Sequence, residues 1–476
     1  MILQRLVAVI LLLYQGVHEC LNECSDFESF ERRVRGWLAE TGREILSIVL
    51  EDLDAKLMRE RGPNLRVIGF RERTIVTVFG EMKLRRRLYR DEVTGETRFL
   101  LDERLGLEER DRVSAGLKEL AVRLGTELSF RKAAEVLREI TPGISPMTAW
   151  NIVKEAGEQA KAEGERLREQ VFERGEDPGG KEKAERLHIE ADGVVIALQR
   201  SKKRREEVKI GAAYEGKESD GKRVRLKGRR IIAGVMSEEA FWEETTARVG
   251  ERWDLGGVRG VIVGGDGAPW VKKGTEYFEN AEYRLDKFHL RRALREALGH
   301  DPEGYEETRK AILGRDLNRV KECLKEAERR STGSKRQGVV RLRRYLLDNW
   351  DGIKSSDEVE SLGAIEGEGY HQVARRMKRM GASWSEHGAD RMARLLAAKA
   401  NGELNRYTGS WRIPWESVLL VPPRLEQFSA ADLDAKAEEV GAWLRARVPA
   451  LTGPYQSSLF VKYVLRQIVL GSREGI

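Results

Sequence analysis

The sequence predicts an α/β protein with a strand-rich centre between helical flanks. Two observations carry this. Between residues 187 and 264, four short segments are apolar and rich in branched side chains: Leu187–Leu198, Val208–Tyr214, Arg230–Met236 and Val258–Gly264. Such runs suit strands, and the last, apolar almost throughout, suits a buried central one. On either side the apolar period changes to that of helices, as in Phe30, Val34, Trp37 and Leu38 before it and in Arg309–Arg330 and Val339–Trp350 after it.

The chain has 476 residues, room for about three domains of ordinary size. Lys and Arg number 86 against 79 Asp and Glu, a formal charge of +7. That surplus is compatible with nucleic acid without requiring it, and the clustering at Lys83–Arg87, Lys202–Arg205 and Arg375–Arg379 says more. Three cysteines, Cys20, Cys24 and Cys323, fit a reducing cytoplasm better than a disulfide framework. Cys20 and Cys24 near His18 make only a weak metal signal. The apolar run Leu6–Tyr14 behind Arg5 resembles a short signal peptide but is too short to span a bilayer. No small-x-small cleavage site follows, and Glu19 spoils a lipoprotein-like site at Cys20. A buried first helix, or a start codon assigned too early, is the expectation, with a cytoplasmic protein and no membrane partner.

The chain divides into six regions. Residues 1–60 read as N-terminal helices. In 61–110 a period of two begins at Thr74: Met82, Leu84 and Leu88 alternate with Lys83, Arg85, Arg87 and Tyr89, and Thr94-Gly95 turns the chain towards Thr97–Leu100. One face of this small sheet is basic, either solvated or set against phosphates. Residues 111–173 read as three helices. Ser129 caps one with the stripe Phe130, Ala133, Ala134, Leu137 and Ile140; Pro142-Gly143 ends it. Ser145 caps the next, with Pro146 at its first position and Ala149, Ile152, Val153 and Ala156 on its apolar face. This pattern fits a helix-turn-helix, whose last helix would present Asn151 and Lys154 to the major groove, although any helical hairpin can imitate it. Residues 174–186, with Pro178-Gly179-Gly180, read as a linker. Residues 187–400 read as the main α/β domain, with a helical insertion at about 300–355, and 401–476 as a helical tail with stretches at Ala430–Val448 and Gln456–Leu470.

Two aspartates stand out. Asp192 lies in His188-Ile-Glu-Ala-Asp-Gly193, where strand alternation puts His188, Glu190 and Asp192 on one face. Asp266 ends the buried strand in Gly264-Gly-Asp-Gly-Ala-Pro-Trp270, the strand end where open α/β sheets bind ligands. Asp-Gly is also a common turn, but this segment is over-specified for one. Glu366, in Ala364-Ile-Glu-Gly-Glu368, competes with Glu368 and does not stand out alone. A basic helix with Arg375, Arg376 and Arg379 follows. Trp270 and Trp384 suit either a core or stacking on unpaired bases.

The strand order, the Asp-Gly strand and the Gly-Asp-Gly strand end resemble the ribonuclease H-like core of DDE transposases. Asp286-Lys-Phe-His289 resembles the Asp-x-x-His signature of Mutator-like and related insertion-sequence transposases. The nearest likeness is to the ISLre-type group of bacterial insertion-sequence transposases. It rests on Phe79-Gly-Glu81, Arg85–Tyr89, Leu100–Leu107, Gly265–Val271, Leu285–Leu290, Glu366-Gly367 with His371, and Trp384–Leu396. It departs at the N-terminus and around Glu368-Gly369. The resemblance implies metal-dependent cleavage and strand transfer at transposon ends. Asp192 would bridge two Mg2+ ions (Mn2+ as substitute), Asp266 and Glu366 would flank them, and His289 would act as an acid-base or DNA-positioning group, or simply fix the strand-to-helix joint. Partners would be double-stranded transposon ends and target DNA, with a homo-oligomer assembled on them. Lys83, Arg85, Arg87, Asn151, Lys154, Arg375, Arg376 and Arg379 are the expected DNA contacts. Competing expectations are a nuclease on the same core without strand transfer, or a non-catalytic DNA-binding regulator.

Overall fold

The computed structural model describes residues 24–408 except 108–110, 142, 220, 222–223, 355–361 and 379–380, together with residues 13, 16 and 17. The run Leu6–Tyr14 apart from Leu13, Cys20, Arg379 and the tail stretches read at 430–448 and 456–470 lie outside the described residues.

The N-terminal helical runs form one helix, α1 (Phe27–Glu60), opened by a reciprocal cap between Asp26 and Ser29. β1 (Leu65–Thr77) and β2 (Gly80–Asp91) pair antiparallel, and β3 (Thr97–Arg98) adds to β2. Lys83 and Arg85 are exposed on this sheet. The expectation for Arg87 needs correction, because α1 crosses that end of the face. Its buried Asp54 takes Arg87 Nη1 at 2.5 Å, and Tyr89 beside it is fully buried. On the opposite face Arg73 and Arg86, both buried, share the carboxylate of Asp102 in α2 (Leu100–Leu105) at 2.7 and 2.8 Å.

Helices α3 (Ala115–Glu127), α4 (Phe130–Arg138) and α5 (Pro146–Arg168) come next. Ser129 and Ser145 cap α4 and α5 as expected, and Ala149, Ile152, Val153 and Ala156 are buried. These helices do not stand apart from the central sheet. One continuous core runs from Leu117, Leu137 and Ile152 through Val194, Ile210 and Ile231 to Leu395. The Gly-rich stretch after α5 is also laid against the body: Gly180 N donates to Gly250 O at 2.9 Å, and Glu182 N to Arg252 O at 3.0 Å.

In the central sheet, β4 (Arg186–Ala197), β5 (Arg205–Tyr214) and β8 (Arg230–Gly234) run antiparallel in turn. β9 (Gly260–Gly265) and β10 (Ala281–Leu285) run parallel to β4. The order across the sheet is β10-β9-β4-β5-β8. A small hairpin, β6 (Gly216–Ser219) with β7 (Val224–Lys227), lies between β5 and β8 in the chain. One sheet face, with Leu187, Ile189 and Ala191, packs on Phe241 and Trp242 of α6 (Glu238–Gly250). Each aromatic is fully buried and contributes about 2–3 kcal/mol by burial alone. The short α7 (Pro269–Lys272) adds Val271 to the same core. After β10 come α8 (Lys287–Leu298), α9 (Pro302–Leu313), α10 (Leu317–Arg330) and α11 (Gly333–Asp348), packed around Leu298, Ile312, Leu324 and Leu346. The described chain ends with α12 (Ala364–Glu368), a π-helical stretch Gly369–Ala374, α13 (Arg375–Met377), α14 (Glu386–Ala400) and α15 (Leu404–Thr408). Arg394 of α14 bonds Glu244 of α6 at 2.6 Å and Asp390 at 3.0 Å in a buried set. Removing one partner there would cost about 3–5 kcal/mol. Among the described residues no helix is long and apolar enough to cross a membrane.

Candidate active site

The site starts from two parallel strands. In β4 and β9 the register pairs Ala191 with Gly265, so Asp192 and Asp266, the next residue on each, stand side by side where β9 ends. The glycine before Asp266 is needed: a Cβ on Gly265 would lie 2.7 Å from Ala191 O. Gly267, at φ +98°, then turns the chain away, and Asp266 Oδ1 accepts from Ala268 N at 2.8 Å. Tyr345 of α11 donates its hydroxyl to Asp266 O at 2.7 Å, tying the helical bundle to this strand end. Burial pushes the Asp192 carboxyl above its ordinary range; the Gly193 N–H opposes this, the Asp266 charge adds to it, and His289 offsets part. Two neighbouring carboxylates with one imidazole for counter-charge form an environment that a cation would relieve.

His289 is held by the same Asp-x-x-His segment that opens α8. Asp286, 1% exposed in its side chain, caps the helix by accepting from Phe288 N at 3.0 Å and takes His289 Nδ1 at 3.0 Å. A carboxylate there makes Nδ1 the donor and leaves Nε2 free for other work. The Asp286 bond, with the charges of Asp192 and Asp266 behind it, raises the His289 pKa against the opposing effect of burial.

Glu366 does not join this group. It is exposed on α12, with Arg292 of α8 within electrostatic reach. Among the described residues no three His, Cys, Asp or Glu side chains converge closely enough to hold a metal ion. The competition with Glu368 is nevertheless informative. Both Glu368 oxygens accept from Arg229 Nη1 at 3.2 Å, and Oε2 also takes Gln372 at 3.2 Å. Glu368 is thus engaged in holding α12 to the body, and Glu366 is not.

A residue beyond those singled out in the sequence emerges beside them. Glu190 is fully buried on the Asp192 face of β4. Its carboxylate accepts from three successive backbone N–H groups, Gly363 at 2.8 Å, Ala364 at 3.1 Å and Ile365 at 3.3 Å, and from Tyr214 Oη at 2.5 Å. These are the orphan donors that open α12, so a buried anion holds the start of the helix that carries Glu366. Gly363, at φ +110°, is the residue whose backbone allows this approach. The available signal was parity: Glu190 lies two residues before Asp192 on the same face.

The expected DNA contacts divide. Met147, Trp150, Asn151 and Lys154 form an exposed stripe on α5, with Lys154 over the Trp150 ring at 5.5 Å. Asn151 also lines a cleft against Thr74 and Glu81 of the small sheet. Arg375 is half-exposed and bonds Glu127 at 2.5 Å. Arg376 is not on the open surface: it is 9% exposed, donates Nε to Gly125 O at 3.0 Å, and lies between the rings of Phe130 and Trp384, at the wall of a cleft. Two aromatics from distant segments hold its side chain in place. Trp270 packs against Phe241 and Trp242 and serves the core. Trp384 is 7% exposed and donates Nε1 to Met377 O.

The fold and site define a mixed α/β protein in which an aspartate within one strand stands beside an aspartate just past the end of its parallel neighbour. The chain belongs to the family described as an uncharacterised protein family (UPF0236), whose profile matches residues 20–412. It is similar to a UPF0236 protein of Caldanaerobacter subterraneus subsp. tengcongensis, 26% identical over 393 residues, covering 81% of each chain. A second UPF0236 protein of that organism, whose name joins eleven locus designations, is 26% identical over 376 residues, 78% of this chain and 77% of the relative. A UPF0236 protein in the vanSb 3′ region of Streptococcus gallolyticus is 27% identical over 409 residues, 82% of this chain and 87% of the relative.

Proposed function

We propose that this protein is a DNA transposase with a ribonuclease H-like core, cutting and joining DNA at the ends of its own element. The observation that carries the reading is the pairing of Asp192 with Asp266. They sit side by side on the central strands of a sheet ordered β10-β9-β4-β5-β8, three strands antiparallel and two parallel to the first. That is the arrangement in which ribonuclease H-like enzymes place their first two acidic residues. The relative whose name joins eleven locus designations of one genome adds support, since a sequence that copies or moves itself accumulates in this way.

The hard carboxylate oxygens of Asp192 and Asp266 suit Mg2+ or Mn2+; Glu366, proposed as the third ligand, stands apart from them on α12 and would complete the set only when that helix carries it in. When bound, divalent ions would supply charge stabilisation at the attacking and leaving oxygens of an in-line displacement. The chain's own part is positional. The β4–β9 register holds Asp192 against Asp266. Asp286 holds His289 so that Nε2 remains able to take or return a proton near them. Glu190 fixes the start of the helix bearing Glu366. The exposed Lys83 and Arg85, and the α5 stripe with Asn151 and Lys154, are the surfaces proposed to hold DNA.

Sequencing the DNA on both sides of the gene tests the reading. Inverted repeats bordered by short direct duplications are expected. Flanks without repeats at every genomic copy would overturn it.

A further inference from the structure

Arg376 poses a question that the proposed chemistry leaves open. Burial lowers its pKa to about 10, and Glu127, whose charge opposes this, is already bonded to Arg375 and Lys399. Among the described residues no carboxylate lies within ion-pair distance of Arg376. A guanidinium that is 9% exposed, with one carbonyl bond and no counter-ion, is costly unless an anion comes to it.

The place where an anion could reach it is visible. Arg376 lines an open cleft of about 270 Å3 between the starts of α4 and α5 and the start of α14. Phe130, Trp150 and Trp384 supply aromatic walls, and Lys154 and the N-cap Ser385 lie at its margin. The wall is not closed on itself: Trp150 is 37% exposed. The chemistry therefore combines stacking surfaces with an uncompensated buried cation and a helix N-terminus, all of which attract a flat base with an attached phosphate. An apolar ligand would leave the guanidinium unanswered, and a bare anion would leave the aromatic walls unused.

The cleft is also connected to the aspartates. Trp384 N donates to Ala197 O, and Gln199 N to Trp384 O at 2.8 Å, so the cleft lies off the end of β4. Ala197 is five residues beyond Asp192, about 16 Å along a strand.

We infer that this cleft receives a single unpaired nucleotide of the bound DNA, its base against Trp150 and its phosphate on Arg376 and Lys154. The inference rests on the DNA-acting reading above and adds the site at which one strand leaves the duplex. Fluorescence anisotropy with the full chain in chelator tests it. The probes are two fluorescein-labelled duplexes of the same sequence, one fully paired and one carrying a single extra thymidine. The wild-type protein should bind the bulged duplex about ten-fold more tightly, in line with stacking on one base. Trp150→Ala should reduce that preference, read as the ratio of the two affinities, to less than two-fold, and Trp150→Phe should restore most of it. Equal wild-type affinity for both probes, or a preference that survives Trp150→Ala, would overturn the inference while leaving the DNA-acting reading intact. Failure to bind either duplex would overturn both.

Discussion

Glu190→Gln separates an anchor from a ligand. The amide keeps the shape and one acceptor oxygen, so it can still serve Tyr214 Oη and Ala364 N, which share Oε1. The new NH2 then faces Gly363 N and Ile365 N, which lose their acceptor. Two charge-assisted bonds at about 1.5–3 kcal/mol each are at stake, a gross loss of about 3–6 kcal/mol. The variant no longer buries a charge, which returns several kcal/mol, so a net destabilisation of about 1–3 kcal/mol is expected. The larger effect should be on chemistry. The proposed chemistry needs Glu366 carried in from its exposed place on α12, so releasing the start of that helix should misplace it, and a misplacement near 1 Å in a reacting constellation costs about 100-fold in rate. Urea unfolding followed by circular dichroism gives the first quantity, and nicking of cognate DNA ends with Mg2+ gives the second. Tyr214→Phe, which removes one of the four bonds, should cost about 1 kcal/mol and leave most of the rate. A Glu190→Gln protein that is folded and nicks at the wild-type rate would refute the anchoring argument.

The other expectations come from the same geometry. Burial raises the Asp192 pKa, so its stabilising protonated form is lost as pH rises through the folded value, and at neutral pH the ionised group opposes folding. Asp192→Asn should therefore have a higher melting temperature than wild type in chelator, and saturating Mg2+ should narrow the gap; a lower melting temperature in chelator would contradict this. His289 is raised from 6.5, so its contribution is fully present below that pH and fades as pH rises through the folded value. The stability deficit of His289→Asn should accordingly be larger at pH 6 than at pH 9 in urea titrations. Neutralising Lys83 and Arg85 together should flatten the salt dependence of DNA binding, by up to about 2 in log–log slope. Arg87→Gln should instead lower stability by about 3–5 kcal/mol, because it strands buried Asp54; the reverse pattern in gel shifts and melts would return Arg87 to the DNA surface.

The legible parts of the chain were those whose signals are local. β9 is an apolar run, β4 carries branched residues over much of its length, and the glycines around Asp266 mark the end of β9. Ser129 and Ser145 announce their helices from the adjacent sequence. The parts that escaped depend on distant partners. β10 reads Ala-Glu-Tyr-Arg-Leu, with the charges Glu282 and Arg284 paired to each other on an edge strand. Within α6, Glu244 and Arg248 are buried in ion pairs with helices far along the chain, which breaks any apolar stripe. Arg376 looks solvated in a basic run until Phe130 and Trp384 close over it. Glu190 finds its partners 173 to 175 residues away, a distance over which local pattern carries no information.

The central claim is that Asp192 and Asp266 hold the metal that cuts DNA. The most direct measurement is nicking of DNA carrying the element's own ends, with Mg2+, by the wild-type protein and by Asp192→Asn, Asp266→Asn, Glu366→Gln and Glu368→Gln. Each amide keeps size and hydrogen bonding but removes a charged ligand. The account predicts that the first three bind ends yet do not nick, that Glu368→Gln retains activity, and that chelator abolishes wild-type cutting. Nicking by both aspartate variants, or full wild-type activity in chelator, would contradict it.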